Sequence, residues 1–98
     1  MHARLSFIEG PPDGIESGVA SFRDAVAPTV REDGGKGAIL LIDRENGKAI
    51  GITLWPDDAT MQASEADANR LRAQAADEVH ATAPPRVERY EVAVFESF

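Results

Sequence analysis

Apolar Ala3, Leu5 and Phe7 alternate with polar Arg4 and Ser6 near the start of the chain, the period of two that gives a β-strand one apolar face. The segment from His2 to Glu9 therefore reads as a first strand, ended by Gly10-Pro11-Pro12-Asp13-Gly14. The period then changes. Ile15, Val19, Phe22, Val26 and Val30 recur at helical spacing, with Asp13 and Glu16 placed as a capping pair at the helix start. Pro28 falls in the last turns, where it frees the carbonyl of Asp24 and predicts a kink. Glu32-Asp33-Gly34-Gly35 closes the element.

Two strand-like runs follow, Gly37 to Ile42 and Ala49 to Trp55, on either side of Glu45-Asn46-Gly47-Lys48. Asn-Gly is a strong hairpin signal, because a two-residue type I′ loop needs positive φ at both positions. With Asn46 and Gly47 as that loop, Leu41 pairs with Ile52 and Ile39 with Leu54 on one sheet face. Ala38, Leu40 and Ile42 then share the other face with Gly51, Thr53 and Trp55. Trp55-Pro56-Asp57-Asp58 opens a second helix, in which the proline is tolerated and the aspartates complement the dipole. Its inner face is Met61, Ser64, Ala68, Leu71, Ala75 and Val79. Ser64-Glu65-Ala66-Asp67 can cap a fresh helix, so a break near Ala63 is an alternative to one continuous element. Ala83-Pro84-Pro85 stops the helix, and Val87 to Phe98 reads as a long last strand.

The resulting order, βαββαβ, is a ferredoxin-like α+β plan with a four-stranded antiparallel sheet, expected as a single domain over 1–98. Both faces of the hairpin are apolar, yet two helices cover only one face of such a sheet. A second copy is the simplest cover for the other face. The pattern thus predicts a homodimer packed sheet to sheet into an α/β barrel.

Length sharpens that expectation, because a 98-residue chain buries only roughly 60–65% of its unfolded surface. The net charge of −7 argues against nucleic acid and anionic membranes as partners, since both are bound through Lys and Arg. No apolar run is long enough to span a bilayer, and the alternating N-terminus is unlike a secretory signal. A cytoplasmic location is the default. With no cysteine, thiolate catalysis and Cys-based zinc sites are excluded. Two distant histidines without a patterned carboxylate give no metal site, so none is expected.

Candidate chemistry rests on few residues. Trp55 offers an aromatic face and an N–H donor, or simply closes the core. Gly51 and Thr53 leave space above the sheet, which fits a pocket walled by Leu40, Ile42 and Trp55, or close packing against a helix or strand. Tyr90 carries a phenol able to meet a hydroxyl or oxyanion, and His80 an imidazole able to move a proton near neutral pH. A helix-terminal site explains His80 equally well as a partner of the dipole. Arg4 and Ser6 share a strand face suited to a carboxylate or carbonyl, or to an ion pair with Glu88 or Glu91. The pairs Asp57-Asp58, Glu65/Asp67 and Asp77-Glu78 read as solvated faces and caps, and the loop Gly34 to Gly37 leads into a strand rather than forming a phosphate cradle.

The helix ending Phe22…Val26-Ala27-Pro28-Thr29-Val30, the Gly-rich entry to the second strand, Gly51-Ile52-Thr53-Leu54-Trp55 and Tyr90-Glu91-Val92 together resemble the dimeric α/β-barrel proteins, in the group of the antibiotic biosynthesis monooxygenases. The resemblance spans nearly the whole chain. It implies a cofactor-independent monooxygenase-like enzyme acting on a small aromatic or polyketide-like molecule, and the side-chain chemistry above makes His80, Tyr90 and Arg4 the candidate catalytic residues of such an enzyme. A non-catalytic ligand-binding or structural dimer is the alternative. The haem-degrading pattern of the group needs an Asn on the first strand and a Trp and a His on the second helix. Here the strand has no Asn and the helix only His80, so no cofactor is expected.

Overall fold

A computed structural model describes residues 1–98. Strand β1 (His2–Glu9) is followed by a 3₁₀ turn at Pro12–Gly14 and by a helix over residues 15–32, α1. Strands β2 (Gly37–Asp43) and β3 (Lys48–Trp55), helices α2 (Asp58–Ala63) and α3 (Glu65–Glu78) and strand β4 (Arg86–Glu91) complete the chain. The four strands form one antiparallel sheet in the order β2-β3-β1-β4, as the sequence pattern predicts.

Helix α1 is α-helical at Ile15–Ser21 and Ala27–Glu32, with a π-helical turn at Phe22–Val26 between them. There the Ala27 N–H reaches back to the Phe22 carbonyl. The turn directly precedes Pro28, which cannot donate to Asp24, so the distortion has the predicted cause. Asp13 makes no cap. It lies inside the 3₁₀ turn, and the helix start has no side-chain hydrogen bond.

The hairpin register differs from the expected one by two residues. Ile39 pairs with Ile52, Leu41 with Ile50 and Asp43 with Lys48, leaving a four-residue loop, 44–47. Only Gly47 of that loop has positive φ, at 68°, so a two-residue type I′ turn is not formed. Asp43 instead accepts from the Asn46 N–H at 3.2 Å and from Asn46 Nδ2 at 2.8 Å, closing a wider turn. A slip of two preserves the side-chain period, so each residue keeps its expected face.

The second helix breaks after Ala63. Asp57 caps α2 by accepting from the Thr60 N–H at 2.7 Å, whereas Ser64 has no capping bond to α3. The last strand ends at Glu91 rather than at Phe98, with Val94 and Phe95 exposed beyond it.

Cross-strand pairing sorts the side chains into rows. The rows Arg89-Arg4-Thr53-Ala38, Val87-Ser6-Gly51-Leu40 and Ile8-Ala49-Ile42 face the helices. The rows Tyr90-Ala3-Leu54, Glu88-Leu5-Ile52-Ile39 and Arg86-Phe7-Ile50-Leu41 face away. Trp55, Val30 and Met61 form the tightest core under the helices, joined by Val26. On the opposite face Ile39 is 41% and Leu41 49% exposed, so this apolar surface has no cover within the chain.

Candidate functional site

The start of α1 packs closely against the end of α3. A side chain on Gly14 would stand 2.8 Å from the Val79 carbonyl oxygen, and one on Gly18 3.2 Å from Val79 Cγ1. Only glycines allow that approach. Between the helices and the sheet lies a cleft of about 100 Å³; a single water needs roughly 10–15 Å³ on the same measure.

Its composition changes along β1. Arg4, Ser6 and Ile8 line it in turn, each about 6.5 Å beyond the last at strand spacing. Arg4 is joined by Thr53, Trp55 and Ser64, and Ile8 by Ala49, Ile42, Ile15 and Val79. One end is thus polar and the other apolar. Asp33 and Asp67 also line the cleft.

Arg4 is 3% exposed, which desolvates its charge and lowers its pKa despite Glu65 nearby. One terminal nitrogen, Nη2, donates to the Met61 carbonyl at 2.6 Å and to Ser64 Oγ at 3.0 Å, and lies 3.2 Å from Glu65 Oε1. The break between α2 and α3 makes this possible, since it turns the Met61 carbonyl and the Ser64 hydroxyl toward the sheet. Ser64 Oγ itself donates to Met61 O at 2.7 Å. The guanidinium also sits 5.5 Å from the centre of the Trp55 ring, within cation–π range. Arg4 Nε is buried and has no protein partner.

Glu65 is shared. It accepts from Arg89 Nε at 2.7 Å while facing Arg4, and these partners, Arg89 foremost, hold its carboxyl below its ordinary range. Arg72, about two helical turns further along α3, donates from Nε to Ser6 Oγ at 3.1 Å and from Nη1 to Asn69 Oδ1 at 2.8 Å. Burial, with Arg4 as a like-charged neighbour, lowers its pKa. Asp33 is raised by burial first and then by a hydrogen bond with Asp67. That pair joins the end of α1 to the start of α3.

The structure gathers Arg4, Leu40, Ile42, Gly51, Thr53 and Trp55 around the cleft. Trp55 is 1% exposed and its N–H is spent on Thr53 Oγ1 at 2.9 Å. The space over Gly51 is taken up by Phe22, whose Cε2 would lie 3.1 Å from a Cβ there. His80 and Tyr90 stand elsewhere. His80 is an exposed residue at φ 55° just beyond α3, and Tyr90 lies on the outer sheet face, donating its hydroxyl to Glu88. Arg4's carboxylate partner is Glu65, not Glu88 or Glu91.

Sequence reading passed over Phe22, Asp33 and Arg72 as cleft residues. Phe22 and Asp33 follow the α1 stripe at helical spacing, and Arg72 sits one position after Leu71 on the inner face of α3. Periodicity thus marks Phe22 and Asp33, whereas Arg72 lies beside the stripe and only the helix packing turns it inward.

No protein-family model matches the chain. The uncharacterised Mycobacterium tuberculosis proteins Rv2557 and Rv2558 are 33% and 35% identical to it over 94 and 95 residues. These residues are 95% and 96% of the chain but only 41% and 39% of those relatives. Solved structures decide the fold. A Deinococcus radiodurans protein described as an antibiotic biosynthesis monooxygenase superposes with a TM-score of 0.75 at 14% identity, over 100% of this chain and 98% of that one. The fold is that of the antibiotic biosynthesis monooxygenase-like, ferredoxin-fold proteins.

Within this fold, the Streptomyces coelicolor monooxygenase ActVA-Orf6, solved with nanaomycin D, matches with a TM-score of 0.73 at 16% identity. The match covers 98% of this chain and 91% of that one. A dimeric ferredoxin-like protein from an uncultured marine organism matches with a TM-score of 0.70 at 8% identity, over 99% and 98% of the two chains. No helix of the chain is long and apolar enough to cross a membrane.

Proposed function

We propose that the chain binds a small aromatic molecule in the cleft between sheet and helices and oxygenates it without a bound cofactor, working as a homodimer. The observation that carries this reading is the cleft itself, with Leu40, Ile42, Phe22 and Val19 on its walls and the Arg4 and Arg72 guanidinium groups at its polar end. The ligand-bound monooxygenase of the same fold supports the reaction class. The uncovered Ile39 and Leu41, together with a dimeric protein of the same fold, support the assembly.

An electron-rich phenol or anthrone becomes reactive toward dioxygen when it loses a proton, because the anion gives up an electron far more readily. One oxygen atom then enters the carbon framework, and the other leaves as water with two substrate hydrogens. Arg4 and Arg72 stabilise the anion, and Asp33, whose pKa is raised by burial and by Asp67, is the cleft carboxylate suited to take the proton. In this reading His80 and Tyr90 have no part in the chemistry.

Oxygen uptake in the presence of a panel of hydroquinones and anthrones tests it. Uptake is expected with at least one member and is expected to fall at least tenfold in Asp33→Asn. No uptake with any member, in a protein that still binds one of them, favours the second reading, a binding dimer without turnover. That reading draws on Trp55, whose only donor is already spent on Thr53.

A further inference from the structure

The chain carries a net charge of −7, yet three arginines gather about the polar end of a cleft that Asp33 and Asp67 also line. Arg4, Arg72 and Arg89 all act on one another there, with Glu65 as the one carboxylate in ion-pair contact. Glu65 is already divided between Arg4 and Arg89.

Arg72 makes its two hydrogen bonds to neutral groups, Ser6 Oγ and Asn69 Oδ1. A half-buried guanidinium without a carboxylate is costly, because desolvation is not repaid by a counter-charge. Arg4 adds a second unpaid group, the buried Nε, on a side chain that lines the same cleft. Ser6, between them on β1, brings a hydroxyl. Beyond Ser6 the surface turns apolar, through Leu40 and Ile42 to Ile8 and Ile15.

We propose that the cleft selects ligands with a carboxylate head and a flat apolar body, the head held by Arg72 with Ser6 and the Nε of Arg4, the body lying toward Ile8 and Ile42. This rests on the reading of the cleft as a small-molecule site and adds the charge of its ligand. A guanidinium meets a carboxylate with two parallel donors, so Arg72 supplies both orientation and selectivity. Arg72 has only neutral partners of its own, Ser6 and Asn69, so an anionic head supplies the counter-charge that an amine or an alcohol does not.

Matched pairs test the proposal on the full chain: 1-naphthoate, 2-naphthoate and indole-3-acetate, each against its neutral primary alcohol, followed by calorimetry and by quenching of Trp55, the single tryptophan. At least one acid is expected to bind tenfold or more tightly than its alcohol, with the preference shrinking as salt is added. Arg72→Gln is expected to bring the acid down to the affinity of the alcohol while leaving the alcohol unchanged, and Arg72→Lys to restore part of the difference. Circular dichroism melts of both variants confirm that they are folded. Equal binding of acids and alcohols, or a preference that survives Arg72→Gln, overturns the carboxylate proposal and leaves the small-molecule reading standing. Absence of binding by every acid and every alcohol overturns both.

Discussion

Arg4 Nη2 donates to the main-chain carbonyl of Met61 across 2.6 Å, from the second row of the sheet to the point where the second helical segment breaks. The α2 helix ends there, since Ser64, at φ −88° and ψ 0°, leaves the helical path, and the Met61 carbonyl accepts from the Ser64 N–H at 3.2 Å and the Ser64 hydroxyl at 2.7 Å as well as from Arg4. A helix end leaves its last carbonyls without partners, and a buried arginine supplies one. The same side chain thereby fixes the angle between α2 and α3, and with it the roof of the cleft.

Arg4→Met keeps the unbranched stem as far as the position of Nε and removes the guanidinium with its donors. Each hydrogen bond from a charged group contributes about 1.5–3 kcal/mol, and the loss of the favourable stack on Trp55 is offset by relief of the buried charge. A net destabilisation of about 2–4 kcal/mol is expected. Urea unfolding followed at 222 nm checks it, and a change below about 0.5 kcal/mol, the range of ordinary surface substitutions, contradicts the anchoring role.

Glu65 and Asp33 give opposite pH signatures. The carboxyl of Glu65, lowered from its ordinary value of 4.5 by Arg89 and Arg4, contributes stability above that value and loses it as pH falls through the lowered one. Asp33 is raised from 3.8, so its ionised form costs stability at neutral pH and protonation relieves the cost. Glu65→Gln is therefore expected to lower the melting temperature at pH 7, by an amount that shrinks below pH 4.5. Asp33→Asn is expected to raise it at pH 7 and to lose that advantage on acidification. Melting temperatures at half-unit pH intervals test both signs.

Gly47 is required by the wider hairpin loop. Its φ is 68°, and its carbonyl accepts from the Gly10 N–H at 2.9 Å. A Cβ at this position would run into the Gly10 carbonyl oxygen, so the hairpin tip and the end of β1 must part. Gly47→Ala is expected to destabilise by more than the roughly 1 kcal/mol of an unfavourable φ alone, with earlier hydrogen exchange at Gly10 than within β1. A neutral substitution would place the loop differently.

The outer sheet face predicts the assembly. Leu41 is half exposed in a row with Ile50, Phe7 and Arg86, and Arg86 lies 4.1 Å over the Phe7 ring. Leu41→Glu puts an unpaired charge where a second copy would meet the sheet. Sedimentation velocity is expected to show a dimer for the parent chain at micromolar concentration and a monomer with unchanged far-ultraviolet dichroism for the variant. A monomeric parent chain would mean that something other than a second copy covers Ile39 and Leu41.

Sequence periodicity alone determined the order of strands and helices, and it assigned the faces. Ile15 to Val30 and Met61 to Val79 mark the helix stripes, and the alternation through Leu40, Gly51 and Thr53 marks the cleft side of the sheet. These are local signals, because the side-chain period of an element follows from its backbone. The register of the hairpin was decided elsewhere, by Asp43 bonding Asn46 and by Gly47 docking on Gly10, a contact between residues far apart in the chain. The role of Arg4 was equally beyond reach of spacing. An arginine on an alternating strand looks solvent-facing until a helix break, a tryptophan and a distant carboxylate close over it. Arg72 and Asp33 belong to the cleft for the same reason, since Gly14 and Gly18 let the start of α1 close on Val79, and only that packing of one helix on the other brings their side chains to one cavity.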